Sequence, residues 1–261
     1  MINPNRLPPL AFVVSFAVLA FAACGETEGS VVVIDVALEA GGTPASFTTD
    51  TGWTVELEEA RVALGPFYAF APRKEGDAVA MLREFLLPVA RAHGGTDPLN
   101  GRRVRAEWLR QVAFDAMSDE TVELGAIEAE SGVVETVSVT LNPPDAANTS
   151  STNGHHLYAR GVATRDDVVV PFEGGLDIPD EGLSRRVENI PLDTFLDAGG
   201  RWVLTVDASA WFEGAQFDRL TEQEDGVYLI TPESQVRGAW LLAARNTRAY
   251  SARFDLEESN E

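Results

Sequence analysis

GWTVELEEARVAL, residues 52–64, alternates twice. Trp53, Val55 and Leu57 fall on one face; Ala60, Val62 and Leu64 resume the alternation after a gap of three. Successive side chains of a strand point to opposite faces, so a period of two marks a strand with one buried side. A gap of three would reverse that facing. A β-bulge or strand break near Glu58–Glu59 is predicted to restore it. Gly65-Pro66 then marks a bend, and FYAF (67–70) reads as a short extended piece.

The same period runs outward along the chain. VVVIDVALEA (31–40) sets Val32, Ile34, Val36 and Leu38 on one face and Asp35 and Glu39 on the other. Residues 121–144 read as two strands around Ser131-Gly132, with Val133, Val137, Val139 and Leu141 on the core face of the second. HHLYARGVATRDDVVVPFEGGLDI (155–178) predicts a strand, a turn at Arg165–Asp167 and a second strand. RRVENIPL (185–192) fits a short strand. DTFLDAGGRWVLTVDASAWF (193–212) reads as a capped turn, a Gly-Gly break and a strand burying Trp202, Leu204 and Val206. GVYLITP (226–232) is a late strand and RAYSARFDLEE (248–258) the last. RRVRAEWLRQVAF (102–114) is open between strand and helix.

Helical spacing occurs in two places. In DAVAMLREFLLPVARA (77–92), Val79, Leu82, Phe85, Leu86 and Val89 recur at helical intervals behind Asp77 as N-cap, and Pro88 is placed to kink or end the helix. SQVRGAWLLAARN (234–246) predicts a short helix. NPPDAANTSSTNG (142–154) is a loop by composition. Many short strands with turn signals predict an all-β fold, an antiparallel β-sandwich of immunoglobulin-like or related type, with a helical insertion near 77–92.

The N-terminus speaks to location. Leu10 to Ala23 is a fourteen-residue apolar or small run interrupted only by Ser15, behind a segment carrying Arg6. A helix of that length rises about 21 Å, short of the ~30 Å hydrocarbon core. A short apolar region closed by small residues is a secretory signal peptide. Ala22-Ala23 is followed by Cys24, the only cysteine in the chain. A lone thiol in an exported protein needs a reason, and acylation supplies one. The stretch resembles the bacterial lipobox, with Phe21 where leucine is usual. That resemblance implies cleavage before Cys24, a diacylated cysteine and, with Gly25 next to it, placement at the outer membrane. The organisation expected is a signal peptide at 1–23, a lipidated Cys24 with a short tether at 24–30, and a single domain at 31–261.

Without residues 1–23 the chain carries 19 basic and 41 acidic side chains, a formal charge of −22. Such a surface argues against nucleic acid and against charge-driven docking on anionic lipid. It suits solubility. The lipid bilayer, held through Cys24, is the partner expected.

Three histidines, His93, His155 and His156, are candidate ligands for copper or zinc, metals that imidazole suits. In a strand, residues 155 and 156 would diverge, unless Gly154 bends the chain. Adjacent acids such as Glu58–Glu59 and Asp166–Asp167 would diverge too and could not flank a bond as glycosidase carboxylates do. No nucleophile elbow, metalloprotease helix, P-loop or dinucleotide fingerprint occurs. Asp97 and Asn100 in DPLNG fit a turn. Trp53, Trp108, Trp202, Trp211 and Trp240 are expected in the core, with Trp211-Phe212 also suited to a rim.

FTTDTGWTVELEEARVALGPFYAF (47–70), residues 155–178 and GGRWVLTVDASAWFEGAQFDRL (199–220) together resemble predicted lipoproteins of myxobacteria and related bacteria. That family carries a histidine-rich segment ahead of a Glu-Trp stretch. In AHGGTDPLNGRRVRAEWL (92–109), His93 matches the first histidine, the second is missing, and Glu107-Trp108 match the later stretch. The order of strand elements is also similar to the periplasmic copper-binding proteins of methanobactin operons, which implies a β-sandwich holding copper by histidines near a tryptophan. A non-enzymatic binding or interaction module on the envelope is the function expected first, a copper or zinc protein second, a carboxylate-dependent hydrolase last.

Overall fold

The double alternation of residues 52–64 becomes the spine of the molecule. A computed structural model describes residues 29–256 except 45, 74–96, 98–100, 148, 180–183, 198 and 225. The spine is β3 (Thr54–Phe70), a 17-residue strand that runs on through Gly65-Pro66 and absorbs the FYAF piece. Trp53, Val55, Leu57, Ala60, Val62 and Leu64 are all buried. The face is kept by a register shift between Leu57 and Glu59, where the gap of three predicts it.

Both edges of β3 are occupied along its length. On one edge lie β8 (Leu157–Arg165), against residues 54–62, and β7 (Gly132–Leu141), against residues 64–70. On the other lie β2 (Ser46–Thr48), β5 (Val112–Asp115) and β4 (Val104–Trp108) in turn. From β4 the ladder passes to β6 (Val122–Glu130), β1 (Val31–Ala40), β11 (Gly200–Val206) and β14 (Tyr250–Leu256). From β8 it passes to β9 (Val168–Leu176), β13 (Tyr228–Leu229) and β12 (Thr221–Glu222), and from β7 to β10 (Arg186–Leu196). The all-β class therefore holds. All fourteen strands among the described residues share one open sheet, and it is mixed rather than antiparallel throughout: β1 runs parallel to β11, and β13 to β9.

The sheet curls until β10 comes within 8 Å of β14, with no ladder between them. The sequence of β10 accounts for the gap. Pro191 offers no N–H, and Asn189 and Asp193 take left-handed φ of 62° and 44°, so the donors along this strand do not form one line. The same two irregularities carry the strand past RRVENIPL, so DTFL is the end of β10 and not a capped turn. Along β7 the buried positions step by three from Val134 to Val137, opposite the second irregularity of β10. Val134 is buried and Val133 is 45 % exposed, the reverse of the expected placing, while Val137, Val139 and Leu141 are buried as expected. GVYLITP yields only the two residues of β13.

Two aromatic clusters fill the interior. Phe67 stacks on Trp108 at 4.9 Å and meets Trp202 at 6.5 Å. The second joins Trp53, Phe172, Phe212, Phe217, Trp211 and Trp240 through centroid spacings of 4.8–6.2 Å. Trp211-Phe212 is thus core, fully buried, and not rim. It reaches there because the Asp207 side chain caps a 3-10 turn at Ala208–Phe212, accepting from the Ser209 N–H at 2.9 Å. Helix α1 (Gln235–Ala244) closes over it. Val236, Trp240, Ala243 and Ala244 are buried at spacings of four, seven and eight, and Leu242 on the far side is 72 % exposed. Gln235 Nε2 donates to Gly214 O at 2.9 Å and its Oε1 accepts from Gln216 N at 2.8 Å, tying the helix to the turn beneath. Among the described residues no helix is long and apolar enough to cross a membrane. The insertion expected near 77–92 lies outside the described residues.

Candidate functional site

His155 and His156 do not sit in a strand. A 3-10 turn at Thr149–Thr152 precedes them, and Asn153 and Gly154 follow it at φ 51° and 82°. Glycine takes the larger of these angles at no steric cost, and the chain swings there before β8 begins. His155 N donates to Thr152 O at 3.0 Å, and His156 O accepts from Ala63 N at 2.8 Å, pinning the pair to the middle of β3.

Leu157 pairs with Leu176 across the β8–β9 ladder, so the residues just outside it, His156 and Asp177, come abreast. Both imidazoles turn to that carboxylate. His155 Nδ1 lies 2.9 Å from Oδ2 and His156 Nδ1 lies 3.4 Å from Oδ1. Gly175 makes room, since a Cβ there would stand 2.0 Å from His155 Cδ2. The bend at Gly154 thus brings the two side chains together, as the sequence allowed.

Burial separates their behaviour. The His156 side chain is 5 % exposed, that of Asp177 60 %. Desolvation holds the His156 pKa below its ordinary value, outweighing its bond to Asp177. Partial burial pushes the Asp177 carboxyl upward, but the hydrogen bonds and charges of His155 and His156 outweigh it and leave the pKa lowered. A neutral His156 donating Nδ1–H to an ionised Asp177 satisfies both shifts. His156 Nε2 is then a buried acceptor with no hydrogen-bond partner, and the buried Thr152 hydroxyl likewise has none. An acid–base–nucleophile relay would need a hydroxyl or thiol within hydrogen-bond reach of Nε2; among the described residues none bonds to it. His93 lies outside the described residues. Among the described residues no three His, Cys, Asp or Glu side chains gather as a metal-binding group.

A second constellation lies where the chain enters the fold, and no residue pattern pointed to it. Gly29 N donates to Glu130 Oε1 at 3.0 Å, and Ser131 N donates to Ser30 O at 2.8 Å. Glu130 is 5 % exposed and also meets Arg103, through Nε at 3.0 Å, and Arg105, through Nη1 at 2.9 Å. The entering strand is clamped onto the β6–β7 turn by one buried carboxylate and two guanidiniums. Ala71 N donates to Arg103 O and Asp97 N to Arg102 O, so the chain on either side of residues 74–96 is rooted beside the same clamp. Next to it Arg102 and Arg186 stand 5.1 and 5.2 Å from the Phe70 ring. Arg186 reaches Asp97 at 2.5 Å and Ser138 Oγ at 2.9 Å, while Arg102 reaches Thr136 Oγ1 at 2.6 Å and Glu135 at 2.7 Å. Cys24 lies five residues before Gly29 and outside the described residues. No family model, curated protein or solved structure matches this chain.

Proposed function

We propose that the protein is a bacterial envelope lipoprotein, acylated on Cys24, whose β-sheet body acts as a non-enzymatic binding or interaction module. The observation that carries this reading is the run Leu10–Ala23 ending at the sole cysteine, only five residues before the Glu130 clamp. Several acyl chains, at ~0.8 kcal/mol per buried CH₂, form a lasting anchor. The short tether keeps the body beside the bilayer. Intact-mass measurement of protein extracted from membranes tests it. The expected result is loss of residues 1–23 and a lipid adduct on Cys24, with C24S released to the soluble fraction. An unmodified Cys24, or C24S remaining on membranes, overturns the reading.

A second reading, copper or zinc held by His155 and His156 with His93, is favoured by one observation. A carboxylate gripping Nδ1 of two imidazoles is how metal-binding histidines are oriented, leaving Nε2 for the ion. Elemental analysis of the membrane-extracted protein decides it: one equivalent of metal, lost in H155A, supports this reading, and absence of metal after incubation with copper or zinc removes it.

A further inference from the structure

We propose that the clamped end of the sheet is itself a membrane-docking surface, with Val31, Val133 and Phe195 seated at the boundary between lipid headgroups and acyl chains. The inference rests on the lipid-anchor reading above. These three side chains are 55 %, 45 % and 53 % exposed. Their strands place them at one end of the molecule. Val31 is abreast of Glu130, and Val133 is abreast of Phe195 one residue beyond the β6–β7 turn. The three apolar residues therefore gather at the end where the tether leaves. Isolated exposed hydrophobics are unremarkable on a protein surface, but a set gathered at one end marks a contact.

The tether says what is contacted. Five Cα steps separate Cys24 from Gly29, at most about 18 Å at ~3.6 Å per step. The headgroup layer itself is roughly 5–7 Å deep. An acylated Cys24 therefore holds this rim within reach of its own bilayer at all times. The formal charge of −22 on the mature chain opposes pairing with a second copy.

The test uses the full acylated chain. Lipid on Cys24 is first verified by mass. Single cysteines at V133C, F195C and, as a control on the β8–β9 hairpin, V169C are then labelled with a fluorophore, and the protein is reconstituted into phosphatidylethanolamine–phosphatidylglycerol vesicles. Labels at 133 and 195 are expected to be quenched by doxyl groups placed just below the headgroups and shielded from iodide, with the reverse at 169. Rim labels as open to iodide as the one at 169, on a chain with lipid on Cys24, overturn the docking surface and leave the anchor standing. Rim labels shielded from iodide without doxyl quenching show cover by a second copy or by other residues of this chain, and also overturn it. Absence of lipid on Cys24 overturns the anchor reading itself, and the mass shows this before any fluorescence is read.

Discussion

His156 sits out of water beside a carboxylate that is mostly in it, and this asymmetry has a measurable consequence. Its folded pKa lies below the ordinary 6.5, chiefly by desolvation. Above pH 6.5 neither the folded nor the unfolded chain protonates it. As pH falls below that value the unfolded chain takes up a proton that the folded one refuses, so stability falls as pH drops through the window from 6.5 to the folded pKa. Urea unfolding of H156Q is expected to lose this part of the pH dependence; an unchanged slope between pH 7.5 and 5 would assign it elsewhere. Asp177 acts in a separate, lower window. Its lowered pKa contributes stability present above the ordinary 3.8 and lost as pH falls through the folded value. Glu130 offers a second measurement at this scale. E130A leaves Arg103 and Arg105 facing a void and frees the Gly29 N–H, which should cost about 2 kcal/mol of unfolding free energy. A change below a few tenths in the denaturant midpoint analysis would show the clamp to be idle. Neither grouping was fully legible beforehand. The histidines could be flagged by type, and Gly154 named as the residue able to join them, but Asp177 becomes their partner only through the β8–β9 pairing. Glu130 is one acid among many until the fold surrounds it with arginines.

Elements were legible where one local rule governed. The spacing in residues 52–64 contained both the buried face of β3 and its bulge, because a register fault leaves a gap of three in the apolar pattern. The β8–β9 hairpin was legible in Arg165–Asp167, and Asp166 does take a left-handed φ of 54°. Helix α1 was legible as the stretch 234–246, and the structure adds Ser234 as its cap and Val236 and Trp240 on its buried face. That cap can be tested alone: Ser234 Oγ accepts from Arg237 N at 3.2 Å, so S234A should destabilise the protein by about 1 kcal/mol and leave the β-sheet circular dichroism unchanged. No loss of stability would mean that packing of Trp240 alone holds the helix. β10 was legible only in its first half. Asn189, Pro191 and Asp193 are turn residues by chemistry; Asn189 and Asp193 keep their left-handed φ as irregularities, and pairing with β7 on either side of them carries the strand on. Tertiary pairing overrides local propensity at such places.

At the scale of the molecule the decisive contact is one that periodicity does not contain. β1 and β11 pair in parallel across some 165 positions of sequence, and no local pattern encodes that choice. Its effect is to join the entry of the chain to its last strand through β11. β3 does the corresponding work between the aromatic clusters. Phe67, in its second half, belongs to the cluster of Trp108 and Trp202, while Trp53, one residue before its first half, belongs to that of Trp211 and Trp240. Melting either cluster would strip one half of β3 of its buried face and leave the other half attached to a frayed strand. The cost of a partly unfolded state is therefore carried at the junction, and the sheet should unfold as one cooperative unit despite its size. With all five tryptophans buried, the native emission should be blue-shifted and nearly insensitive to iodide. On urea titration, emission and far-ultraviolet circular dichroism should then change together with one midpoint. W240F, which leaves Trp108 and Trp202 to report on one cluster and Trp53 and Trp211 on the other, should shift that midpoint for both probes alike. If instead W240F moves one transition and leaves a second in place, the two clusters are separate cores and β3 is a linker between them.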